Sequence, residues 1–186
     1  MSTQNTVISF EQLVQDFDGL FQHRVFRLET LDWYVASNER EPYARFLSGQ
    51  PVDPAWREPW KRYVRGVRAS GRVMQRVHIV SEPVSDYVRF ELLHVYPANV
   101  EAGEDVRILG RQNAASLPAM DFWLFDDALA AILTYDETGA VSRVELDDAP
   151  GRLRWYVDDR DRALRLASPL ARYVAGHNLT EGKHAA

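Results

Sequence analysis

The chain has 186 residues with a formal net charge of −5, 46% hydrophobic and 26% charged residues, and no cysteine. That length fits one domain with a core of its own. The composition excludes disulfides, thiolate catalysis and thiolate zinc sites, and no apolar run approaches the roughly 18 residues of a membrane span. The polar start lacks a signal-peptide pattern, so a reducing cytoplasm is the expected location, with flexible tails at 1–7 and 177–186 around a single domain at 8–176.

Ser9-Phe10-Glu11-Gln12 forms a capping-box pattern and predicts a helix over 10–17. Residues 23–30 alternate well enough for a strand, although Val25 breaks the alternation. A helix over 39–47 stops at Gly49. Pro59 opens another, with Trp60, Tyr63, Val64 and Val67 on one face and Gly71 as its end. Val73, Val77, Ile79 and Val80 mark a strand. Val84, Tyr87, Val88, Leu92 and Val95 then recur at helical spacing toward an end near Pro97. A short strand over 105–109 and a loop over 111–118 precede the strongest β signal, 121–126, 129–135 and 141–146. The last two are joined by the turn Asp136-Glu137-Thr138-Gly139. A helix over 151–173, interrupted at Pro169, closes the chain. The fold class is α+β: a mixed sheet with a late antiparallel meander and flanking helices.

The charge is unevenly distributed. Seven basic residues against one acid occupy 57–76, and eleven acids against four bases occupy 121–161. Arg57, Lys61, Arg65, Arg68 and Arg72 recur at steps of three and four, a stripe suited to a partner surface or to phosphates. A solvated face, or one matched to acidic residues by ion pairs, accounts for the same pattern, and the negative total argues against direct nucleic-acid binding. Trp33, Trp56 and Trp60 offer a protein-binding hot spot, although Trp60 falls on the apolar, core-facing side of its helix.

No phosphate-binding Gly-rich loop, Gly-x-Ser-x-Gly elbow or His-Glu-x-x-His pair occurs, and no cofactor is implied. The densest polar cluster runs through a predicted strand, turn and helix start. Arg76, His78, Ser81, Glu82, Ser85, Asp86, Tyr87 and Arg89 there compose a candidate pocket for a small anion, with His78 as base and Arg89 as cation. A well-capped helix explains the same residues: Ser81 as cap, Glu82 and Asp86 at the positive dipole end, Arg89 paired with Asp86. Asp121, Asp126, Asp127 and Asp136 could hold a divalent cation, but their spacing matches no calcium loop, and edge and turn roles account for them.

Several segments carry a family resemblance: Phe26-Arg27-Leu28-Glu29, the Ser-Glu-Pro-x-Ser-Asp-Tyr-x-Arg-Phe-Glu run ending at Glu91, Asn99 with Ala102-Gly103-Glu104, and Asp121-Phe122-Trp123-Leu124-Phe125-Asp126. Over residues 8–176 the chain resembles an actinobacterial domain family of unknown function, whose members are commonly encoded beside helix-turn-helix regulators of Streptomyces-type bacteria. The element order also resembles a phospholipase-D-like half-domain. That family's His-x-Lys-x4-Asp motif is absent, because the residues two places after the five histidines are Val25, Val80, Tyr96, Leu179 and Ala186. The resemblance implies a non-enzymatic regulatory or sensing module with a protein partner, a helix-turn-helix regulator, and a small anionic ligand. The alternative is a toxin-like RNase or phosphodiesterase in which His78, Arg76, Arg89 and Glu91 supply acid–base and anion-stabilising groups.

Overall fold

A computed structural model describes residues 6–179, and the expectations for residues 1–5 and 180–186 lie outside them. Eight strands form one open mixed sheet in the order β1-β7-β6-β5-β2-β3-β4-β8. Its parallel centre is β2 (Arg24–Glu29), β3 (Val73–Val80) and β4 (Asp105–Gly110). Beside it lies the expected antiparallel meander of β5 (Asp121–Phe125), β6 (Leu129–Tyr135) and β7 (Val141–Asp147). Gly139, at φ +85°, makes the predicted turn between β6 and β7.

The central strands are buried on both faces, so side-chain parity decides the neighbours rather than exposure. Phe26, Leu28, Val77, Ile79, Phe122 and Leu124 point to one face, against Leu153, Tyr156 and Ala163 of α6 (Pro150–Leu166). The other face is divided. At one end Val25, Met74 and Phe125 pack under α1 (Phe10–Asp16) and α3 (Glu58–Ala69). At the other end, Val80, Val106 and Ile108 pack against α4 (Asp86–Phe90), α5 (Tyr96–Ala102) and the final helix. Val25 therefore breaks the apparent alternation for a physical reason: it shares its face with Arg27 and Glu29, but lies under the apolar part of it.

Local signals match the elements they predicted. The Ser9 hydroxyl accepts from the Gln12 amide at 3.1 Å; the Gln12 side chain bonds Asp16 instead of reaching back. Helix α2 (Arg40–Leu47) ends before Gly49 at φ +68°, and α3 before Gly71 at φ +83°.

Two expectations need correction. The helix after Pro83 does not stop at Pro97: a π turn (Glu91–Val95) follows α4, and α5 continues from Tyr96 with Pro97 in its first turn, where no amide hydrogen is required. Thr6 and Val7 are not part of a tail but lie in β1 (Thr6–Ile8), paired with Leu146 and Glu145 of β7. At the other end the expected interruption at Pro169 is present, and it divides the closing segment into α6, a two-residue strand β8 (Ser168–Pro169) against β4, and α7 (Leu170–Gly176), with His177 stacked on Tyr173. No helix among the described residues is long and apolar enough to cross a membrane.

Candidate binding site

The divided face of the sheet leaves a gap between its two packed ends. There a cavity of about 730 Å³ opens over β2, β3, β5 and β6, with α1 and α3 on one side and α4 with its π turn on the other. That volume lies within the range of small-molecule sites. Residues 34–39 line it from outside as a strap. The strap is fastened to the β6–β7 turn: Trp33 Nε1 donates to Thr138 O at 2.8 Å, and the Val35 amide donates to Gly139 O at 3.0 Å. A Cβ on Gly139 would stand 2.5 Å from Trp33 Cδ1, so the turn also needs glycine for this contact.

Register sets the floor. Arg27 pairs in parallel with Arg76 and in antiparallel with Trp123, and Glu29 pairs with His78. The two neighbouring guanidiniums differ in their surroundings. Arg76 is clamped between two buried carboxylates, Glu29 at 2.9 Å and Glu104 at 3.0 Å. Desolvation works against its charge, but Glu104 and Glu29 outweigh it and hold its pKa well above the ordinary value. Burial pushes Glu29 up in turn, and Arg76, with His78 and Arg27 behind it, more than offsets this, so Glu29 stays below its ordinary value.

Arg27 is 7% exposed and has no ion pair or hydrogen bond to any described residue. Its guanidinium carbon stands 5.0, 5.3 and 4.5 Å from the ring centres of Phe17, Trp60 and Trp123. Aromatic faces attract a cation, but they are no substitute for a carboxylate. Desolvation first, and then the Arg76 charge, lower the Arg27 pKa to about 10. Arg57 is buried too; it donates to the neutral amide oxygen of Asn99, and burial lowers its pKa.

Two other acids of the cavity, Glu39 and Glu91, are pushed toward neutrality. Burial raises Glu39, which accepts from Tyr87 Oη at 2.6 Å, and raises Glu91 well above the carboxylate range. Glu91 also ends a buried chain. Burial lowers His78, keeping its ring neutral. Its Nε2 lies 2.7 Å from the Leu31 carbonyl, which can only accept, so Nε2 carries the hydrogen and Nδ1 accepts from Tyr96 Oη at 2.8 Å. Tyr96 Oη lies 3.0 Å from Glu91 Oε1. With the tyrosine proton committed to His78, a protonated Glu91 completes the chain as donor.

The structure separates the residues that the sequence groups. Arg76 and Tyr87 line the cavity, but His78 is wholly buried with both ring nitrogens engaged. Ser81 is bound through its amide and hydroxyl to Asp32, at 2.8 and 2.5 Å, and Arg111 closes on the same carboxylate at 3.2 Å. Glu82 is held by Gln112, Tyr173 and His177. Ser85, rather than Ser81, caps α4: it accepts from the Val88 amide at 3.1 Å and donates to Asp32 O at 2.8 Å. Asp86 and Arg89 lie on α4 outside the cavity lining.

The basic stripe is largely tied to its own molecule. Besides Arg57, Lys61 bridges Glu58 and Glu101, Arg65 approaches the same pair, Arg72 pairs with Asp18, and the Arg68 stem lies against Gly103. The four aspartates are engaged as well. Asp121 accepts from Thr30, Tyr34 and Tyr135, Asp126 from the amides of Gln22, His23 and Arg24, and Asp136 from its own turn, while Asp127 pairs with Arg160.

Sequence reasoning missed Arg27 as a site residue, with Trp60, Trp123, Glu39 and the strap. The signal for Arg27 was present: polar residues at 27, 29, 76 and 78, two apart, in strands that are otherwise apolar.

The architecture defines the class of the protein. It is similar to Nuc from Salmonella typhimurium, a phospholipase D family member, at 8% identity and a TM-score of 0.52, over 89% of this chain and 98% of that one. NucT from Helicobacter pylori is similar at 11% identity and a TM-score of 0.50, with the same coverage of 89% and 98%. At these identities the likeness carries the fold alone: a phospholipase-D-like α+β sheet, as the element order implied. Residues 10–175 match the domain of unknown function DUF6879, and the chain belongs to that family. A comparison with curated proteins returned no match.

Proposed function

We propose that this chain is a non-enzymatic sensing module that takes a small organic anion into the Arg27 cavity and reports its presence to a protein partner. The observation that carries the reading is Arg27 itself, a nearly buried cation lining a cavity with no ion-paired or hydrogen-bonded anion among the described residues, the Glu104 and Glu29 charges reaching it only from beyond contact. Burying a charge without a partner is costly, and an incoming anion would remove that cost. Arg76, one strand away, has its charge neutralised twice over. The family resemblance supplies the expected partner, a helix-turn-helix regulator in the cytoplasm of a Streptomyces-type actinobacterium.

The rival phosphodiesterase or RNase reading needs a histidine that can reach substrate. His78 has no exposure, and its neutral ring is committed on both sides. Harmless high-level expression of the protein agrees with the sensing role; toxicity abolished by His78→Ala would reverse the ranking.

The direct test is calorimetric titration of the purified protein with a panel of small organic carboxylates and phosphates, repeated with Arg27→Met. At least one anion is expected to bind, with about tenfold or greater loss in the variant. No binding by any anion, or binding indifferent to Arg27, overturns the proposal. Native mass spectrometry of the tagged protein from its host tests the partner: a stoichiometric helix-turn-helix protein is expected, and a bare chain contradicts that part.

A further inference from the structure

We infer that the cavity is built for a planar aromatic monocarboxylate, held by its carboxylate at Arg27 and by its ring among the Phe17, Trp60 and Trp123 side chains. The inference rests on the sensing reading and narrows it to one ligand class.

The charges on and behind the cavity wall limit the ligand's charge. Three guanidiniums belong to this region, those of Arg27, Arg57 and Arg76. Glu29 and Glu104 are ion-paired to Arg76. Glu39 and Glu91 are pushed toward their neutral forms by burial. Arg57 donates to the Asn99 amide oxygen, and Arg27 is the one of the three with neither an ion pair nor a hydrogen bond among the described residues. A single carboxylate supplies its missing partner. A phosphate monoester would bring about −1.5 to −2 charges to one unpaired cation, in a wall that also holds the Glu29 carboxylate.

The wall also fixes the ligand's shape. Two of the three rings that surround the Arg27 guanidinium are in edge contact, Phe17 with Trp123 at 5.6 Å between centres. Tyr63 stacks at a tilt on Trp60 at 5.4 Å, and Tyr34 meets Tyr135, also in the lining, at 5.4 Å. Flat walls of this kind favour flat ligands, since offset and edge-on ring pairs add attraction beyond area burial.

Beside the three rings the wall presents two unmet donors: Arg27 Nε and Trp60 Nε1 are both buried and have no acceptor among the described residues. A carboxylate is an acceptor only, and its two oxygens match the planar donor fork of a guanidinium. An amide would set an N–H group of its own against that fork.

Calorimetry with four probes tests the class: 2-naphthoate, its neutral counterpart 2-naphthamide, 2-naphthyl phosphate and cyclohexanecarboxylate. The expected result is that 2-naphthoate binds best, each of the others being weaker by about tenfold or more. Arg27→Met should weaken 2-naphthoate by a similar factor and leave 2-naphthamide unchanged, a split that a merely structural role for Arg27 would not produce. If 2-naphthyl phosphate or cyclohexanecarboxylate binds as well as 2-naphthoate, with Arg27 still required, the sensing reading stands and the aromatic monocarboxylate assignment falls. If no probe binds and the wider anion panel is also silent, both fall.

Discussion

Two regions of this molecule concentrate polar residues, and only one of them has an unmet demand. In the turn before α4, Ser81, Glu82 and Ser85 look in sequence like groups awaiting a ligand. In the structure Asp32, Arg111, Gln112, Tyr173 and His177 already serve them. Over the centre of the sheet, Arg76 is likewise satisfied by Glu29 and Glu104, but Arg27 beside it is not. The contrast teaches that local density of polar residues is a poor pointer to a site. A buried group whose partner the fold does not provide is a better one.

The sharpest way to break the comparison is to disarm the satisfied arginine. Arg76→Met takes the ion-paired cation from two buried carboxylates, and removing one side of a buried pair typically costs about 3–5 kcal/mol. Urea unfolding should reveal that loss, or a chain that fails to fold. A loss below about 1 kcal/mol would mean that Arg76 is no more integral to the fold than a surface residue.

A smaller effect separates the regions by pH, with opposite signs. Asp32 in the turn is pushed up by burial, but the Ser81 hydrogen bonds outweigh this and hold it below its ordinary 3.8. Its contribution is therefore full above that value and fades as pH falls through the lower folded pKa. Asp32→Asn should cost about 1 kcal/mol at neutral pH and nothing once the wild-type carboxyl is protonated. Glu91 is raised, so its contribution is full below its unfolded value near 4.5 and declines as pH rises toward the folded pKa. Glu91→Gln should therefore melt like wild type at pH 4 and gain on it as pH rises, by at most about 1.4 kcal/mol per pH unit. Melting curves of both variants from about pH 2 to about pH 8, a window that extends below the ordinary 3.8 of Asp32 and above the ordinary 4.5 of Glu91, decide it. Parallel profiles would mean that the cavity acids are as solvated as those of the turn.

How much of this was legible in sequence follows from the range of each signal. The meander, the caps at Ser9 and Gly49, and the strand containing Arg76 and His78 are set by near neighbours, and they were readable. The pairing of Arg27 with Arg76 and Trp123 is a matter of register between distant strands, as is the Asp32 contact to Ser81 across 49 residues. No local pattern encodes it. The continuation through Pro97 was hidden for a different reason: a π turn resets the helix just before the proline, so the missing amide hydrogen falls in a first turn. The basic stripe was legible as a stripe. Its neutralisation by Glu58, Glu101 and Asp18 depended on packing, two of these acids lying on α5 and next to α1.

The smallest expected effect on stability belongs to Arg27, and it is the most informative. A buried arginine in a structural ion pair would lose several kcal/mol on truncation. Arg27→Met removes an unpaired, desolvated cation and keeps an apolar stem of similar length among Phe17, Trp60 and Trp123. The lost attraction to the rings, roughly 1–2 kcal/mol, is set against the relief of burying no charge. Stability should move by less than about 1 kcal/mol in either direction, while anion binding is lost. A residue that the fold can spare and the ligand cannot is one retained for binding, in a protein that gives up some stability for its function. A loss of 3 kcal/mol or more would place Arg27 with Arg76 as a structural cation and erase the difference between the two neighbours.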